Sequence, residues 1–597
     1  MGYTSAAIED FLNQHRPQFL ASHVPERYWE SLYKKLFTLT FDAGNFFQLV
    51  KIDYEEEKQP YHSSWGLQAL CDLQKNDSNT IFLIDHAWTF QINEARKHLE
   101  YDNLRLRIAR IMDLNEDSPK EELIEEIFEN MWRFNNSYAV RNLDGTEQTL
   151  MWFFMDEIGC AVQHSGGPNC RIVPFVHLNQ GMYCLLFLQK DIKEGDLIFR
   201  DFAEGITDPL LRKATLLPWI PSSFDDIPTE PSIPGPEYYL AGHIPETLPD
   251  LNNLKAHLTR KEKYFVFTQY RFIKKFLTDS KFQLTENEDE ADVLWFTEHF
   301  RDFKSLSESP GKFVNQFPYE YVLTIKDLLC MTCRRYKNNT ENPRWFPVTY
   351  NLVNEVGNFV SYFKNRENEG LENYWIIKPY NLARSMDIHI TNNINYIMRL
   401  PATGPKIVQK YLTNPVLFYR DECDGKVKFD VRYVILLKSV CPLEVYVCKN
   451  FYLRFANKPF SLDNFDDYEK HFTVMNYTEN ALKHLKCDEF KVEWEKQYCN
   501  FSWGDVEEKI LKMIKEIVEC ATLAEPPCGL AESPQSRALY AADLMLNWED
   551  NEIQPKILEF NFMPDCERAC KYYPDFFNDI FKLLFLNEEN SDVFFKL

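Results

Sequence analysis

Hydrophobic and polar positions follow two different periods along the chain, and the period changes near residue 150. Between Thr89 and Leu114 the apolar residues recur at spacings near three and four, with charged residues between them: Ile92, Ala95, Leu99, Leu106 and Met112. This spacing places them on one face of an amphipathic helix. The pattern predicts that residues 1–150 are mainly helical.

Short apolar runs dominate the rest of the chain. From Met151 to Phe202 such runs, including YCLLFLQ, are broken by Gly and Pro, which predicts strands. Past residue 238, strand-like runs are separated by helical segments: KYFVFTQY, ADVLWF, YWIIKPY, PKIVQKYL, VRYVILLKSV, LEVYVCKNFYLRF and PKILEFNFM. A mixture of strands and helices on this scale predicts an α/β or α+β domain of catalytic size.

A proline-rich stretch divides the chain into two parts. Between Pro218 and Glu237 the chain reads PWIPSSFDDIPTEPSIPGPE, which contains six prolines. Because proline has no backbone N–H to donate, such a stretch is unsuited to helices and interior strands. We therefore expect three parts: residues 1–217, a linker at 218–238 and residues 239–597.

Composition narrows the class of protein. The 597 residues carry 66 Lys and Arg against 90 Asp and Glu, a formal net charge of −24, which argues against a nucleic-acid binder. The first residues have no basic segment followed by an apolar one, and no run reaches the roughly 18 apolar residues of a membrane span. We expect no direct contact with nucleic acid or membrane, and a cytosolic or nuclear location.

The fifteen cysteines are too widely spread for a disulfide scaffold. One CxxC pair, Cys330 and Cys333, would form a zinc site only if the fold brought Cys566 and Cys570 to it. Buried or surface thiols are the favoured interpretation.

Three oxygen-bearing side chains near the C-terminal end point to a metal. Residues two apart in a strand share a face, so Glu559 and Asn561 of ILEFNFM would project together, near Asp543. Carboxylate and amide oxygens suit Mg²⁺. The alternative is that these acidic groups only face solvent.

The charge is unevenly distributed. Residues 374–460 contain thirteen basic and six acidic residues, a local balance of +7 in an acidic chain. Cations concentrated beside a metal site would hold a polyanion, such as nucleotide phosphates or an acidic peptide. A solvated basic face is the alternative.

Several motifs in this region carry a family resemblance. The stretches WIIKP, IVQKYLTNPVLF, KFDVRYVILL, YLRF and ILEFNFMPDCERAC resemble, in order and spacing, the tubulin tyrosine ligase-like family of ATP-grasp ligases. NQFPYEYVLTIKDLL and FPVTYNL are similar to motifs of that family's N-terminal subdomain, so the resemblance covers about 264–597.

The resemblance implies a site for ATP and Mg²⁺. Lys378 and Lys428 would contact phosphates, and Asp430 the sugar or phosphate side of the nucleotide. The adenine pocket would be lined by Gln409, Lys410, Tyr411 and Leu412. The Mg²⁺ ligands would be Asp543, Glu559 and Asn561. Arg432 and Arg454 would bind carboxylates of the incoming amino acid or of the protein tail.

Two departures from the family pattern predict weak catalysis. Active members carry a KPxxxxRGxGI loop, whose glycines let the backbone wrap the phosphates; here Ser385 and Asp387 replace them. Asp387 would also place a negative charge near the phosphates. The family's HLTN motif becomes His471 to Val474, with an apolar residue in place of the amide.

A second resemblance lies before the linker. DEIGCAVQHSGGPNCRIVPF and FLQKDIKEGDLIFRDF resemble the end of a SET methyltransferase domain. The positions that match its motifs are Gln163, His164, Ser165, Pro168, Asn169, Asp191, Ile192, Gly195 and Asp201. Gln163 replaces the Asn that contacts the methyl donor, and Phe202 replaces the hydroxyl-bearing Tyr. These changes favour a binding scaffold over a methyltransferase.

Together the patterns predict an α+β protein with a helical flank, a SET-like β-rich domain and an ATP-grasp domain. We expect it to bind ATP and acidic tubulin C-terminal tails and to regulate tubulin modification (tyrosination, detyrosination, glutamylation) and microtubules, with weak or absent ligase activity. The alternatives are an active ligase that adds tyrosine or glutamate, and a histone-tail module that influences histone methylation. The expected location is cytoplasmic, at microtubules or centrosomes, with the nucleus as a second site.

Overall fold

The computed structural model describes residues 5–52, 65–141, 148–178, 180–252, 262–336, 343–380, 387–473 and 484–597. Ser385 of the phosphate-loop prediction and Val474 of the altered HLTN motif lie outside these residues.

Helices occur along the whole of the described chain. They are α1 (Ser5–Ala21), α2 (Trp29–Thr38), α3 (Ala95–Leu99), α4 (Asp102–Met112), α5 (Lys120–Asn130), α6 (Glu157–Ala161), α7 (Pro209–Thr215), α8 (Pro236–Leu240), α9 (Arg271–Phe276), α10 (Phe303–Ser307), α11 (Tyr321–Thr324), α12 (Lys326–Cys333), α13 (Val356–Asn368), α14 (Ile394–Arg399), α15 (Tyr468–His471), α16 (Cys487–Gln497), α17 (Trp503–Thr522), α18 (Glu567–Tyr572) and α19 (Phe576–Leu586).

Strands alternate with these helices. They are β1 (Phe47–Lys51), β2 (Trp65–Ala69), β3 (Ile81–Ile84), β4 (His86–Phe90), β5 (Asn136–Arg141), β6 (Gln148–Met155), β7 (Gln163–His164), β8 (Cys170–His177), β9 (Gly181–Leu188), β10 (Phe199–Arg200), β11 (Tyr264–Thr268), β12 (Phe282–Thr285), β13 (Val293–Trp295), β14 (Phe313–Val314), β15 (Thr349–Asn351), β16 (Trp375–Pro379), β17 (His389–Thr391), β18 (Lys406–Lys410), β19 (Phe418–Arg420), β20 (Gly425–Val427), β21 (Phe429–Ser439), β22 (Glu444–Cys448), β23 (Tyr452–Phe455), β24 (Ala538–Glu549), β25 (Glu552–Phe562) and β26 (Phe594–Lys596). The predicted α+β class is confirmed.

The chain forms two compact units. The first consists of Met1–Thr229, Leu352–Glu372 and Thr391–Pro405. The second consists of Glu230–Asn351, Asn373–Ile390 and Lys406–Leu597.

The first unit is built on small sheets. Two of them have three strands, in the orders β3-β9-β8 and β4-β6-β5, and β7 pairs in parallel with β10. The prediction that residues 1–150 are mainly helical is wrong for β1 to β5. Phe82 and its neighbours in β3 are all buried, so this run is too short and too uniformly apolar to show a strand period. The amphipathic stretch at 89–114 does form α3 and α4, with Ala95, Leu99 and Met112 buried.

Two segments from beyond the predicted linker belong to this unit. Helix α13 packs against α7, and Gly357 allows the close approach, since a Cβ there would lie 2.5 Å from Leu210 Cδ2. The Ser361 hydroxyl donates to the Ile227 carbonyl over 2.7 Å, and Asn358 Nδ2 donates to the Pro228 carbonyl over 2.8 Å. The change of unit at residue 229 falls inside the predicted linker, but residues 239–597 are not one continuous unit.

The second unit contains the larger sheets. A parallel sheet has the order β12-β11-β13-β14, and an antiparallel one has β15-β18-β16-β17. The main sheet has the order β25-β24-β21-β22-β26, with β23 also paired to β21. The buried face of α17, including Ile510, Ile514 and Ile517, joins the apolar core of this sheet. This core is the support on which the candidate site is built.

The cysteines are free thiols. Cys330, Cys333, Cys566 and Cys570 are all buried, and within the described ranges no group of three or more His, Cys, Asp or Glu side chains is placed to hold a metal ion. The zinc hypothesis is therefore wrong, and buried thiols are confirmed. In the same ranges, no helix is both long and apolar enough to span a membrane.

Trp132 joins the segment that contains α14 to the rest of the first unit. Its ring stacks on Tyr396 at 3.5 Å between centroids and packs edge-on against Trp152 at 5.7 Å. Trp132→Ala should lower the free energy of unfolding by about 3–5 kcal/mol, since it leaves a large cavity. Hydrogen exchange should become faster in residues 391–405. Tyr101→Ala, which removes an aromatic ring that is 68% exposed, should change stability by less than about 0.5 kcal/mol. Unchanged exchange in residues 391–405 would contradict the packing described.

Candidate functional site

The charged residues of the predicted site lie in register across the main sheet. Asp430 of β21 pairs with Arg454 of β23, and Arg432 of β21 pairs with Asp543 of β24. Asp543 pairs in turn with Glu559 of β25. Strand pairing thus brings together residues that are more than 100 positions apart in the chain.

Arg432, Arg454, Asp430 and Asp543 form a continuous ion-pair network. Arg432 Nε and Nη2 donate to the two carboxylate oxygens of Asp543, both over 2.7 Å. Arg454 bridges the two acids: its Nε donates to Asp430 Oδ1 and its Nη2 to Asp543 Oδ2, each over 2.7 Å. The Thr473 hydroxyl also donates to Asp430. Two cations and two anions therefore balance one another.

Burial makes this balance necessary. Asp430 and Asp543 are each 1% exposed, and burial of a charge is costly unless the charge is paired. Burial alone would raise the pKa of Asp543, but the Arg454 and Arg432 guanidinium groups lower it below its ordinary value. Burial raises the pKa of Asp430, and its pairing with Arg454 only partly offsets this effect. Asp543, which accepts hydrogen bonds from both guanidinium groups, lies at the centre of the network.

A β-bulge lies beside the metal-ligand candidates. The register between β24 and β25 shifts after Asp543, so that Leu558 has no partner. Bulges re-aim side chains, and Leu558 and Glu559 both line the same cavity here. Lys326 Nζ lies 3.1 Å from Glu559 Oε2.

The oxygen donors fit Mg²⁺ in their chemistry. Asn561 Nδ2 lies 3.2 Å from Asp543 Oδ2 and 3.3 Å from Glu559 Oε1, so both carboxylates face the same amide. Rotation of the Asn561 amide group by half a turn would place its oxygen where its nitrogen lies, beside the two carboxylates. A cation there would compete with Arg432 and Arg454 for Asp543.

Lys378 is buried among neutral polar groups. Its Nζ donates to Gln409 Oε1 over 2.9 Å, and Gln409 Nε2 donates to the Thr349 hydroxyl over 2.9 Å. Burial lowers the pKa of Lys378 to about 8, with Glu559 acting in the opposite direction. Its ammonium group has no ion pair within the described residues.

Lys428 begins a relay of hydrogen bonds. Its Nζ donates to the Tyr411 hydroxyl over 2.8 Å, and that hydroxyl lies 3.0 Å from His471 Nδ1. His471 Nε2 lies 2.9 Å from the Asp463 carbonyl, which fixes Nε2 as the protonated nitrogen. Burial, with repulsion from Lys378, lowers the pKa of Lys428 to about 7. Like Lys378, it is a buried cation without a counter-ion in the described chain.

All twelve predicted site residues line one cavity of about 390 Å³, here called the nucleotide cavity after the ligand that the family pattern predicts. They are Lys378, Gln409, Lys410, Tyr411, Leu412, Lys428, Asp430, Arg432, Arg454, Asp543, Glu559 and Asn561. Their proximity is observed, whereas the roles assigned to them from the family pattern stay predictions.

Other side chains of the cavity escaped sequence reasoning. Lys326, His471 and Thr473 line it, as do the apolar Ile376 and Met545. Lys326 begins the KDLL segment that was used only as a family marker. His471 and Thr473 belong to the altered HLTN motif, in which only the loss of the amide residue was predicted to matter.

Asp387 does not meet the expectation of a charge beside the phosphates. Its φ of 53° is in the left-handed region that favours glycine, in keeping with a glycine position in the family pattern. Its carboxylate pairs with Lys406, and its Oδ1 lies 2.6 Å from His389 Nε2. Asp387 is absent from the nucleotide-cavity lining. Its charge is compensated inside the protein.

The SET-like motifs form a tightly bonded corner. Asn169 Nδ2 donates to the Leu197 carbonyl over 2.8 Å, and its Oδ1 accepts from the Phe199 amide over 2.8 Å. Gln163 replaces the family's Asn that contacts the methyl donor, and Phe202 replaces the Tyr that orients the substrate lysine. Both residues border a cavity of about 20 Å³. This volume holds about one water molecule, far less than the several hundred Å³ of a typical cofactor pocket.

Comparison with known proteins supports both the ligase-like and the SET-like resemblance. A profile of the tubulin-tyrosine ligase family matches residues 304–594, and a profile of the tubulin tyrosine ligase SET-like domain matches residues 68–223. The chain is 41% identical to tubulin–tyrosine ligase-like protein 12 of Mus musculus, over 98% of this chain and 96% of the relative. The chain belongs to the tubulin–tyrosine ligase family.

Two further relatives are also similar over nearly the whole chain. The Homo sapiens tubulin–tyrosine ligase-like protein 12 is 42% identical, over 98% of this chain and 94% of that protein. The Caenorhabditis elegans protein of that name is 36% identical, over 97% of both chains. The tubulin–tyrosine ligase profile covers Asp430, Asp543 and the strands that carry them, and the SET-like profile covers β3 to β10.

Removal of the central carboxylate should destabilise the protein. Asp543→Ala leaves two buried guanidinium groups without their shared anion, and should lower the free energy of unfolding by about 3–5 kcal/mol. Asp565→Ala removes an exposed carboxylate from the rim of the same cavity and should change it by less than about 0.5 kcal/mol. Denaturant unfolding of both variants tests this. Equal stability of the two would contradict the network's structural role.

Proposed function

We propose that this tubulin–tyrosine ligase family member binds ATP with Mg²⁺ and acidic tubulin C-terminal tails, and regulates tubulin modification and microtubules with weak or absent ligase catalysis. The observation that carries the proposal is the pair of buried cations in the nucleotide cavity. Tubulin binding would place the protein in the cytoplasm, at microtubules or centrosomes.

The lysines favour a polyphosphate ligand. Lys378 donates a hydrogen bond to the neutral Gln409 and Lys428 to the neutral Tyr411, and each lysine is less than one-tenth exposed. Lys428 Nζ also lies 5.3 Å from the centre of the Phe460 ring. A buried charge without a partner is unfavourable, so a bound anion would relieve both at once. Two cations at the wall of one cavity suit consecutive phosphates of a nucleotide.

The remaining walls suit the other parts of ATP. Gln409 and Lys410 end β18, and Tyr411 and Leu412 follow it along the cavity wall, while Ile376 and Met545 are apolar. The cavity volume of about 390 Å³ falls within the roughly 300–1,000 Å³ of small-ligand sites. Asp543, Glu559 and Asn561 would hold Mg²⁺, which would neutralise phosphate charge.

Weak catalysis follows from how the carboxylates are occupied. The family's reaction joins a carboxylate to the terminal phosphate of ATP and then lets an amine displace that phosphate, so the protein acts mainly by positioning. In this chain Asp543 is held by Arg432 on both oxygens and by Arg454 on one. The same pairing engages the two arginines expected to bind substrate carboxylates. Residues 378–388 also lack the family's glycines.

An active ligase for tyrosine or glutamate is the second candidate. The gathering of all twelve predicted residues around one cavity favours it. The size of the cavity beside Gln163 and Phe202 does not favour methyl transfer.

Nucleotide affinity should depend on pH. Because the pKa values of Lys428 and Lys378 are lowered to about 7 and about 8 in the free protein, both lose protons as pH rises. A bound polyanion favours the protonated lysines, so Mg-ATP affinity should fall between pH 7 and pH 9 by about tenfold or more. Calorimetry in buffers of different ionisation enthalpy should show proton uptake on binding at pH 8.

Two lysine variants provide the control for this measurement. Lys428→Met should weaken binding, whereas Lys426→Met, which removes an exposed lysine two residues earlier, should keep both affinity and pH dependence. Absence of any thermal shift at saturating Mg-ATP would exclude nucleotide binding.

Amino-acid incorporation separates the two candidates. With tubulin, ATP and each radiolabelled amino acid, the full chain should incorporate label at background level, and Glu559→Gln should do the same. A ligase of the family with known activity serves as the positive control. Robust incorporation that disappears in Glu559→Gln would overturn the weak-catalysis proposal and establish the active ligase.

A further inference from the structure

The small cavity in the SET-like corner has a positively charged wall. Two arginines line it, Arg133 and Arg200, together with the rings of Phe134, Phe202 and Trp219. Among the described residues that line it, none is acidic. These residues all belong to the first compact unit, so the cavity lies within that unit. We call it the Arg200 cavity.

The guanidinium group of Arg200 lacks a counter-ion. Its Nε is buried without a hydrogen-bond partner, and burial lowers the pKa of the group. Neighbouring acids in the sequence pair with other arginines. Asp201 Oδ1 lies 2.9 Å from Arg212 Nη2, and Glu204 Oε1 lies 2.7 Å from Arg171 Nε. Within the part of the chain that the structure describes, no carboxylate lies within ion-pair distance of Arg200.

A second arginine, Arg399 of α14, lies close to the same wall. The rings of Phe202 and Trp219 pack with their centroids 4.7 Å apart. Arg200 Cζ lies 4.8 Å from the centre of the Phe202 ring, and Arg399 Cζ lies 4.7 Å from that of Trp219. Arg399 Nη2 donates to the Asn135 carbonyl over 2.5 Å, but its buried Nε has no hydrogen-bond partner. Burial, with repulsion from Arg200, lowers the pKa of Arg399 to about 9.

The charge of this region and the size of the cavity together limit the ligand. Buried cations are unfavourable unless an anion or a network of acceptors compensates them. The cavity volume of about 20 Å³ holds about one water molecule, so a phosphate, a carboxylic acid or a methyl donor is too large for it. Chloride is only slightly larger than water and carries the charge that water lacks.

We propose that the Arg200 cavity binds one small monovalent anion of the size of chloride, with Arg200 as its charge partner. The anion would also reduce the repulsion between Arg200 and Arg399, and so stabilise α14 within the first unit. The inference does not rest on the proposed function, because the Arg200 cavity shares no residue with the nucleotide cavity.

The test compares melting temperatures of the full chain in potassium chloride and in potassium gluconate of equal concentration. Gluconate is too large for the cavity, and equal ionic strength keeps the screening of charges constant. Salts also differ in their general effect on proteins, so the measured quantity is the chloride-minus-gluconate difference of the wild type relative to that of Arg200→Met. At ten times the dissociation constant, the wild-type difference should exceed that of the variant by about 2–4 °C.

The variant also separates an anion site from a purely structural arginine. In gluconate, Arg200→Met should melt no lower than the wild type, since it removes an uncompensated charge. Arg110→Met provides the matched control, because Arg110 belongs to the same unit but is exposed and paired with Glu116. It should keep the wild-type difference between the two salts. Equal differences in the wild type and Arg200→Met, or the same loss in Arg110→Met, would overturn the proposal.

A further variant changes the space in the cavity but not its charge. Val162 is 2% exposed and lines the cavity. Val162→Ile adds one methyl group to this wall and should abolish the chloride-specific stabilisation while Arg200 is retained. A wild-type response in Val162→Ile would contradict the location of the site.

Anomalous scattering from crystals soaked in bromide locates the anion directly. A bromide peak in the cavity, beside the Arg200 guanidinium group, is the expected result. Bromide found only at exposed basic side chains, with a water molecule in the cavity, would overturn the proposal.

Discussion

The pairing of buried charges across β23, β21 and β24 is the constraint on which the rest of the second unit depends. Four ionic side chains lie in the middle of the main sheet, and they are tolerated because cation and anion alternate. That alternation requires one strand register, since a shift of one residue would turn each partner to the opposite face. The register in turn places Glu559 and Asn561 beside Asp543.

The site combines compensated and uncompensated charge. Arg432, Arg454, Asp430 and Asp543 satisfy one another, so they hold the sheet together but have little free capacity for a substrate. Lys378 and Lys428 lack such partners in the described chain and line the nucleotide cavity. Local charge compensation therefore separates structural from binding groups better than residue type does. The same distinction explains how a protein of net charge −24 can attract anionic ligands.

Much of the site was predictable because its residues occur in short motifs on strands. Each of the twelve predicted residues lines the nucleotide cavity. Alternation within a strand predicted this for Glu559 and Asn561, and the family motifs predicted it for the others. The partnership of Arg432 with Asp543 was not predictable, because it depends on strands whose paired residues are 111 positions apart.

The fold showed the same limit. The strands β1 to β5 were mistaken for part of a helical region. In β3, all four residues are buried, so the run shows no period of two. Asp387 was expected to repel phosphates, but its neutralisation by Lys406 depends on a tertiary contact. The local sequence pattern indicates the chemistry available to a residue, whereas the tertiary contacts of that residue determine its role.

The interleaving of the two units has a practical consequence for how the protein can be divided. Helix α13 carries Phe359, Val360 and Phe363, all buried, in a segment that clusters with residues before the proline-rich stretch. A fragment that began after residue 238 would keep this helix and lose α7, against which it packs. Such a fragment would expose an apolar surface and tend to aggregate. The proline-rich stretch is a change of unit along the chain but not a place to cut it.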